Sequence, residues 1–351
     1  MSAERLFRTF LLYELFAEGG FFEMIHRIYG NEYLKNAFGA MMTSGRLPHG
    51  FIIHGEKGMG KKTAAHYMAK TLLCEKGGTA PCDGCRSCRN IDKGIHPDLI
   101  VPECSGKLMT YSVETIRNVC SDAIVAPNNG SRKVYFFPDA DNILVPAQNA
   151  LLKLIEEPPP FAYFIFTAKS KDTFLTTIIS RVVSLGVSAC SNDECLEALA
   201  ERGVEPEKAQ EAVKAFGGNI GMCINWLEDE SLQKIVMLTK NAANSIINRD
   251  EYGLLVTLSS DIIRERNSAG VFFEMLGRVI RDAAVLQINP SAGCIGCCPD
   301  EAKKLSTRLR TSTADNMQKF IAKASGDIAA NVNAQLVMTG LCGDIMSCKL
   351  R

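Results

Sequence analysis

A glycine-rich loop at residues 55–61 is the feature of this sequence that most constrains its fold. The loop reads Gly-Glu-Lys-Gly-Met-Gly-Lys, follows a short apolar stretch at 50–54 and opens a segment with helical periodicity at 61–74. Strand, loop and helix in this order are the context that the phosphate-loop pattern G-x-x-x-x-G-K requires, because glycines let backbone N–H groups surround a phosphate at the positive end of a helix. The predicted phosphate-binding residues are Gly55, Gly58, Gly60 and Lys61.

Two substitutions remove the metal ligands that such a loop normally offers. The residue after the loop lysine should carry a hydroxyl group for Mg²⁺, but Lys62 stands there, and Thr63 is turned about 100° further around the helix. The apolar strand predicted at 133–137 should end in two acids, but Pro138 replaces the metal ligand and only Asp139 remains. We therefore predict a degraded site that binds nucleotide weakly or not at all. Productive binding of ATP and Mg²⁺ is the alternative.

The spacing of the cysteines indicates their role, because without a secretion signal a disulfide framework is not expected. Cys82, Cys85 and Cys88 form a C-x-x-C-x-x-C run, and Cys74 ends the helix that follows the loop. Four thiolates suit the tetrahedral coordination of Zn²⁺, so we predict a structural zinc site at 74–88, with four free thiols as the alternative. A second cluster is predicted not to bind metal, since it has no partner at a suitable spacing. It consists of Cys294, Cys297 and Cys298.

The rest of the chain separates into an α/β part and a helical part. Up to about residue 188, apolar strand patterns alternate with helical patterns, which predicts a parallel sheet covered on both faces. Besides those at 50–54 and 133–137, strands are predicted at 98–101 and 162–166, and helices at 61–74, 113–123 and 147–157. Beyond that residue the strand patterns stop. The predicted segments are an N-terminal extension at 1–24, an α/β domain at 25–188, a small helical domain at 189–230 and a helical domain at 231–351.

The charge and hydropathy of the chain exclude some functional classes. Lys and Arg together number 39, as do Asp and Glu, so the chain has no global electrostatic signature for nucleic acid. The apolar runs are strand-sized and far shorter than the roughly 20 residues of a membrane helix. The apolar N-terminal stretch at 6–16 is interrupted by acids and has no cleavage site, so we expect no signal peptide and a cytoplasmic location.

Three further motifs lie between residues 96 and 181 of the sequence. The run Asn149-Ala-Leu-Leu-Lys-Leu-Ile-Glu-Glu-Pro-Pro159 is similar to the N-A-L-L-K-x-L-E-E-P-P signature of bacterial clamp-loader subunits of DNA polymerase III, which are AAA+ proteins. Ser180-Arg181 stands at its Ser-Arg-Cys motif, with Val182 in place of the cysteine, and His96-Pro97-Asp98 follows the cysteine insert as it does in the family. The resemblance covers about residues 25–230 and implies an AAA+ fold with a helical lid and a helical C-terminal collar.

The departures from the family pattern favour one of its branches. The gamma/tau type hydrolyses ATP, whereas the delta-prime type has the same fold and usually a corrupted site. Besides Lys62 and Pro138, this sequence has Ala168 where the first sensor is polar, and Ile220-Gly221 where the second-sensor arginine would stand. The resemblance therefore implies a delta-prime subunit.

The resemblance also implies how such a subunit acts. Arg181 would enter the ATP site of a neighbouring subunit as an arginine finger. The partners would be the gamma/tau and delta subunits and, through the complex, the sliding clamp and primed DNA; no membrane partner is expected.

Two other functions are left open by the sequence. One is an active gamma-like ATPase that uses Lys61, Asp139 and Thr63. The other is a zinc-bearing adaptor that binds DNA or protein on an AAA+ scaffold. A few basic side chains are candidates for phosphate contacts, although a solvated face is the simpler interpretation. They are Arg132, Lys169 and Lys171.

Overall fold

A computed structural model describes residues 28–104 and 110–350, so the predicted N-terminal extension at 1–24 lies outside the described residues. The chain divides into two compact units, Met1–Cys190 and Ser191–Arg351. The domain boundaries predicted near residues 24, 188 and 230 stay predictions.

The first unit alternates strands and helices. Its strands are β1 (Gly50–His54), β2 (Leu99–Ile100), β3 (Lys133–Phe137), β4 (Ala162–Ala168) and β5 (Val183–Gly186). Its helices are α1 (Glu32–Ser44), α2 (Lys61–Leu73), α3 (Arg86–Asp92), α4 (Val113–Ala123), α5 (Val145–Glu156) and α6 (Thr176–Ile179), with short 3-10 turns at Ala140–Asn142 and Lys171–Thr173.

The five strands form one parallel sheet in the order β2-β3-β4-β1-β5. Every residue of β3 and β4 is buried, as expected for central strands of a sheet with helices on both faces. The predicted α/β class with a parallel sheet is confirmed.

Alternation along the strands divides the core of this unit into two layers. On one face Tyr135 and Phe137 pack with Phe164 and Phe166 beneath α4 and α5. The ring centroids of Phe137 and Phe166 are 4.6 Å apart in a stacked arrangement. On the other face Phe136 and its alternate neighbours pack beneath α1 and α2. Side chains on both faces thus hold β1 and β3 on either side of β4, with their carboxyl ends at the same edge of the sheet.

The observed strands differ from the predicted ones mainly at the sheet edges. The strand predicted at 98–101 is only two residues long, and its residues are half-buried because β2 pairs with β3 alone. The β5 strand was not predicted, since its sequence Val-Ser-Leu-Gly is short and contains no continuous apolar run. In the centre, β4 extends two residues beyond the predicted end at Phe166.

All regular elements in the described part of the second unit are helices. They are α7 (Asn192–Glu201), α8 (Pro206–Phe216), α9 (Ile220–Glu228), α10 (Glu230–Asn248), α11 (Glu251–Leu258), α12 (Asp261–Arg264), α13 (Arg266–Ile288), α14 (Pro299–Ser306), α15 (Thr311–Ala329) and α16 (Ala334–Ser347). The core of the unit centres on fully buried residues of α13, including Phe272, Leu276 and Ile280. The helical character is as predicted, while the roles of lid and collar stay predictions.

Candidate functional site

The glycine-rich loop connects β1 to α2 and depends on its glycines. Gly58 and Gly60 have φ angles of 83° and 81°, in the left-handed region that favours glycine. A Cβ atom on Gly55 would lie 2.6 Å from the carbonyl oxygen of Val187, closer than any side chain tolerates. The backbone of 55–60 therefore has the tight path that a phosphate loop needs.

The side chain of Lys61 folds back onto this loop. Its Nζ donates hydrogen bonds to the carbonyl oxygens of Gly55 and Glu56, each at 2.8 Å. Burial lowers the pKa of Lys61, while the negative charges of Asp139 and Asp141 act in the opposite direction. Lys61 thus lies where a phosphate-binding lysine is expected, with its ammonium group bonded to the loop itself.

Lys62 and Asp139 form an ion pair beside the loop. The Lys62 Nζ lies 2.6 Å from Asp139 Oδ2, and the two side chains are 43% and 59% exposed. Pro138, which precedes Asp139, offers only its carbonyl oxygen, and that atom accepts a 2.6 Å hydrogen bond from the hydroxyl group of buried Tyr111. The acid at the end of β3 therefore neutralises a lysine of the same chain.

Thr167 is a polar residue of this site whose role the sequence analysis missed. It is fully buried near the end of β4, and its Oγ1 accepts the backbone N–H of Asp139 at 2.9 Å. Asp139 itself has a left-handed backbone with φ 48°. The available signal was a threonine hydroxyl group in a largely apolar strand. Thr167 links the ends of β3 and β4.

The four cysteines of the insert at 74–88 come together. Their sulfur atoms all lie within 4.8 Å of one another, with 4.0 Å between those of Cys82 and Cys88. Zn–S bonds of about 2.3 Å in a tetrahedron place sulfurs about 3.8 Å apart, so the cluster fits one such ion. Cys74 follows the end of α2, while Cys85 precedes α3 and its Sγ accepts the N–H of Cys88.

The thiol groups of the insert differ in how readily they ionise. The N–H of Gly84 lowers the pKa of the Cys82 thiol to about 6, outweighing the effect of burial. Burial raises the pKa of the Cys88 thiol. Because metal ligation requires the thiolate, a cation at the centre of the cluster would offset the cost of ionising Cys88.

A buried lysine joins α2 to the insert. The Nζ of Lys70 lies 2.7 Å from a carboxylate oxygen of Asp83 and 2.7 Å from one of Asp92. The imidazole of His66 lies 3.1 Å from the other oxygen of Asp92. Burial opposes ionisation of Asp92, but hydrogen bonds with His66 and Lys70 outweigh it and lower the pKa of Asp92 to about 2.

The His-Pro-Asp motif after the insert has a structural role. The Nδ1 of His96 accepts the N–H of Asp98 at 3.1 Å, which leaves Nε2 to donate to Ser87 Oγ at 3.1 Å. The carboxylate of Asp98 accepts backbone N–H groups at 128–129, both at 2.6 Å. Ser87 in turn donates through its N–H and hydroxyl groups to Glu75. The motif thus ties the insert to the loop that precedes β3.

Arg181 is exposed just after α6 and is held there by three contacts. Its guanidinium group donates to the carbonyl oxygen of Thr177 at 2.8 Å and to the hydroxyl oxygen of Ser180 at 3.3 Å. Its other terminal nitrogen lies 3.0 Å from Glu156 Oε1, at the end of α5. The two family-like motifs at 149–159 and 180–181 therefore meet in one ion pair.

The remaining candidates fall outside these sites. Among the described residues, the insert at 74–88 is the group whose Cys, His, Asp or Glu ligand atoms lie close enough to share one ion. In the second cluster Cys297 and Cys298 are buried, with their sulfurs 3.6 Å apart. Arg132 lies over the ring of Tyr163 and donates to a backbone carbonyl oxygen. Lys169 and Lys171 are exposed.

No helix among the described residues has the length and apolar character needed to cross a bilayer.

Comparison with known proteins places the first unit in a family. Residues 30–190 match the family described as "DNA polymerase III, delta subunit". The DNA polymerase III subunit delta' of Bacillus subtilis is 32% identical over 165 residues, which are 47% of this chain and 50% of the relative. The DNA polymerase III subunit tau of Escherichia coli is 32% identical over 163 residues, which are 46% of this chain and 25% of the relative.

Among solved structures, a gamma-subunit-related DNA polymerase III protein from Thermotoga maritima matches with a TM-score of 0.40 and 16% identity, over 91% of this chain and 99% of that one. The matched segment spans half or less of the two sequence relatives. Residues 30–190 thus match the DNA polymerase III delta-subunit family and are similar to curated subunits named delta' and tau.

Proposed function

We propose that this member of the DNA polymerase III clamp-loader family is a subunit of the delta-prime type. It assembles with gamma/tau and delta subunits and helps to load the sliding clamp on primed DNA, but does not hydrolyse ATP itself. The observation that carries the proposal is the ion pair between Lys62 and Asp139, 2.6 Å long, beside the phosphate loop. An ammonium ion at that place repels Mg²⁺ and neutralises the acid that would serve catalysis.

Arg181 acts on ATP bound by a neighbouring subunit. A guanidinium group stabilises charge on the transferred phosphoryl group in such sites. The exposed position of Arg181 supports this role, because its side chain is 40% accessible. Its three contacts use three of the five N–H donors of a guanidinium group, and Glu156 keeps the side chain oriented while donors remain for phosphate.

The four-cysteine cluster holds a structural Zn²⁺ ion. Support comes from the sulfur spacing, which fits a tetrahedral site, and from the position of the insert between α2 and β2. When bound, zinc supplies the free energy that orders a small polar insert. Cys74, Cys82, Cys85 and Cys88 are the ligands in this proposal.

An active gamma-like ATPase is the competing function, and one observation favours it. The tau subunit of Escherichia coli matches this chain at the same identity as the Bacillus subtilis delta' subunit, 32%. Such an enzyme would use Lys61 and Asp139. It requires Lys62 to swing away from Asp139 whenever Mg²⁺ enters.

ATP hydrolysis separates the two functions. The purified chain is assayed alone, then mixed with gamma-type and delta subunits of a bacterial clamp loader, as wild type, Arg181→Ala and Arg181→Lys. We expect no turnover by the chain alone, stimulation of the complex by wild type, and none by either variant, since lysine lacks the planar donor pair. Turnover by the chain alone that Lys61→Ala abolishes would establish the gamma-like function instead.

The Arg181 variants are suited to this test because their effect on folding is small. The pair with Glu156 is exposed on both sides, at 40% and 42%, and such pairs contribute about 0–1 kcal/mol. A thermal unfolding midpoint close to that of wild type shows that lost stimulation does not reflect unfolding.

A further inference from the structure

We propose that Lys70 is the positioning residue of the cysteine insert: its ammonium group bridges Asp83 and Asp92 and thereby sets how tightly the four-cysteine cluster retains its metal. The inference rests on the proposed zinc site and adds to it a residue that is not itself a ligand.

Lys70 reaches the segments that supply all four sulfur atoms. It lies on α2 one helical turn before Cys74, the first cysteine of the cluster. Asp83, 2.7 Å from its Nζ, is in the turn directly after Cys82, and Asp92, also 2.7 Å away, ends the helix that carries Cys88. One side chain therefore connects the helix of the first sulfur with the turn and the helix of the others.

Because Lys70 is buried, its ammonium group requires both carboxylate partners. The side chain of Lys70 is 5% exposed, and a buried ammonium ion is costly unless it is paired and hydrogen-bonded. Its two carboxylate partners meet that need only while the insert keeps its present fold. Conversely, removal of Lys70 would leave the carboxylates of Asp83 and Asp92 beside the cysteine cluster without this positive charge.

The turn that Lys70 holds is strained by itself. Asp83 has a φ angle of 55°, which few residues other than glycine adopt. The turn closes through a 2.7 Å hydrogen bond from the N–H of Gly84 to the carbonyl oxygen of Cys82. The ion pair with Lys70 offsets part of the cost of this backbone, which orients the Cys82 and Cys85 sulfurs toward the same point.

Charge acts in the same direction as geometry. Zn²⁺ displaces the thiol protons when it binds, and four thiolates around one Zn²⁺ leave a net charge of −2, so the metal-bound centre is more negative than the protonated metal-free cluster and is favoured by a nearby ammonium group. With Lys70 neutralised, Asp83 and Asp92 would add their repulsion to that centre and the turn would be freer to move. Both effects favour release of the metal. Partners of this outer kind typically change metal affinity by about 10–100-fold.

The experiment measures zinc retention by the full-length chain. Wild type, Lys70→Met, Asp83→Asn and the control Lys76→Met are loaded with one equivalent of zinc and mixed with a chromophoric chelator. Lys76 is an exposed lysine of the same insert. We expect release about 10-fold faster or more from Lys70→Met and the wild-type rate from Lys76→Met. Asp83→Asn should release zinc several-fold faster, because loss of the ion pair that holds the turn outweighs the removal of one negative charge.

A purely structural role for Lys70 gives a different result. Lys70→Met would then lower the thermal unfolding midpoint by the same amount with and without zinc, and its zinc release would match wild type; that outcome overturns the inference. If Lys70→Met does not fold, Asp83→Asn decides, because Asp83 is 70% exposed and asparagine tolerates a left-handed backbone. Release from Asp83→Asn at the wild-type rate also overturns it. Wild-type protein that takes up no zinc overturns the zinc site as well, so the two failures are distinguishable.

Discussion

Replacing Lys62 is the sharpest perturbation of the phosphate loop, because it removes the cation that pairs with Asp139. Lys62→Thr introduces the hydroxyl group that the loop lacks, and the double variant with Pro138→Asp adds the missing acid. We expect wild-type protein to bind nucleotide no better with Mg²⁺ than with a chelator. We expect the double variant to bind it better with Mg²⁺.

The size of the effect follows from the charges. A unit positive charge repels a divalent ion 4 Å away by roughly 2 kcal/mol in water and roughly 8 kcal/mol at an effective dielectric constant of 20. The Lys62 side chain is 43% exposed, so the lower value is the safer one. About 2 kcal/mol corresponds to about a 30-fold gain in the affinity that depends on Mg²⁺.

The assay is a titration with a fluorescent ATP analogue, in excess Mg²⁺ and in excess EDTA, for wild type, Lys62→Thr, the double variant and Lys62→Arg. The arginine variant keeps the charge and should behave as wild type. Folding is checked by thermal unfolding, since loss of an exposed pair costs about 0–1 kcal/mol. Wild-type affinity that already rises 30-fold with Mg²⁺ would refute the reasoning, and so would identical behaviour of Lys62→Thr and Lys62→Arg.

Three further outcomes test other parts of the structure. Cys88→Ser, or removal of metal with a chelator, should destabilise the first unit and expose the insert at 74–88 to protease, whereas Cys348→Ser, at a buried cysteine of the second unit, should leave zinc content unchanged. Thr167→Val leaves the N–H of Asp139 without its acceptor and should cost about 1–3 kcal/mol in urea unfolding; a cost no larger than that of Thr167→Ser would contradict this. Burial raises the pKa of Tyr111 far above its ordinary value, so above pH 10 the unfolded chain ionises this group while the native one does not. The free energy of unfolding should then fall by about 1.4 kcal/mol per pH unit on this account, and Tyr111→Phe should show a shallower fall; equal slopes in denaturant titrations between pH 10 and 11.5 would exclude the effect.

The sequence by itself determined the features that depend on short spacing or on continuous apolar runs. The loop at 55–61, the central strands β1 and β3 and the helix α4 were predictable, because each is encoded by neighbours along the chain. The parallel sheet followed from the alternation of strands and helices. The cysteine cluster was predictable for the same reason, since three of its members are only three residues apart.

Tertiary structure alone decided which polar groups meet. The sequence indicated that Lys62 replaces a metal-binding hydroxyl group. Its ion pair with Asp139, however, joins α2 to the end of β3 across 77 positions of sequence, and no local pattern encodes that pair. The same holds for the bridge from Lys70 to Asp83 and Asp92 and for the contact of Arg181 with Glu156. Apolar patterns specify which face of an element is buried, because burial acts on every residue of the face. A single ion pair depends on the final positions of two elements relative to each other, and those positions are fixed only when the sheet and its helices pack together.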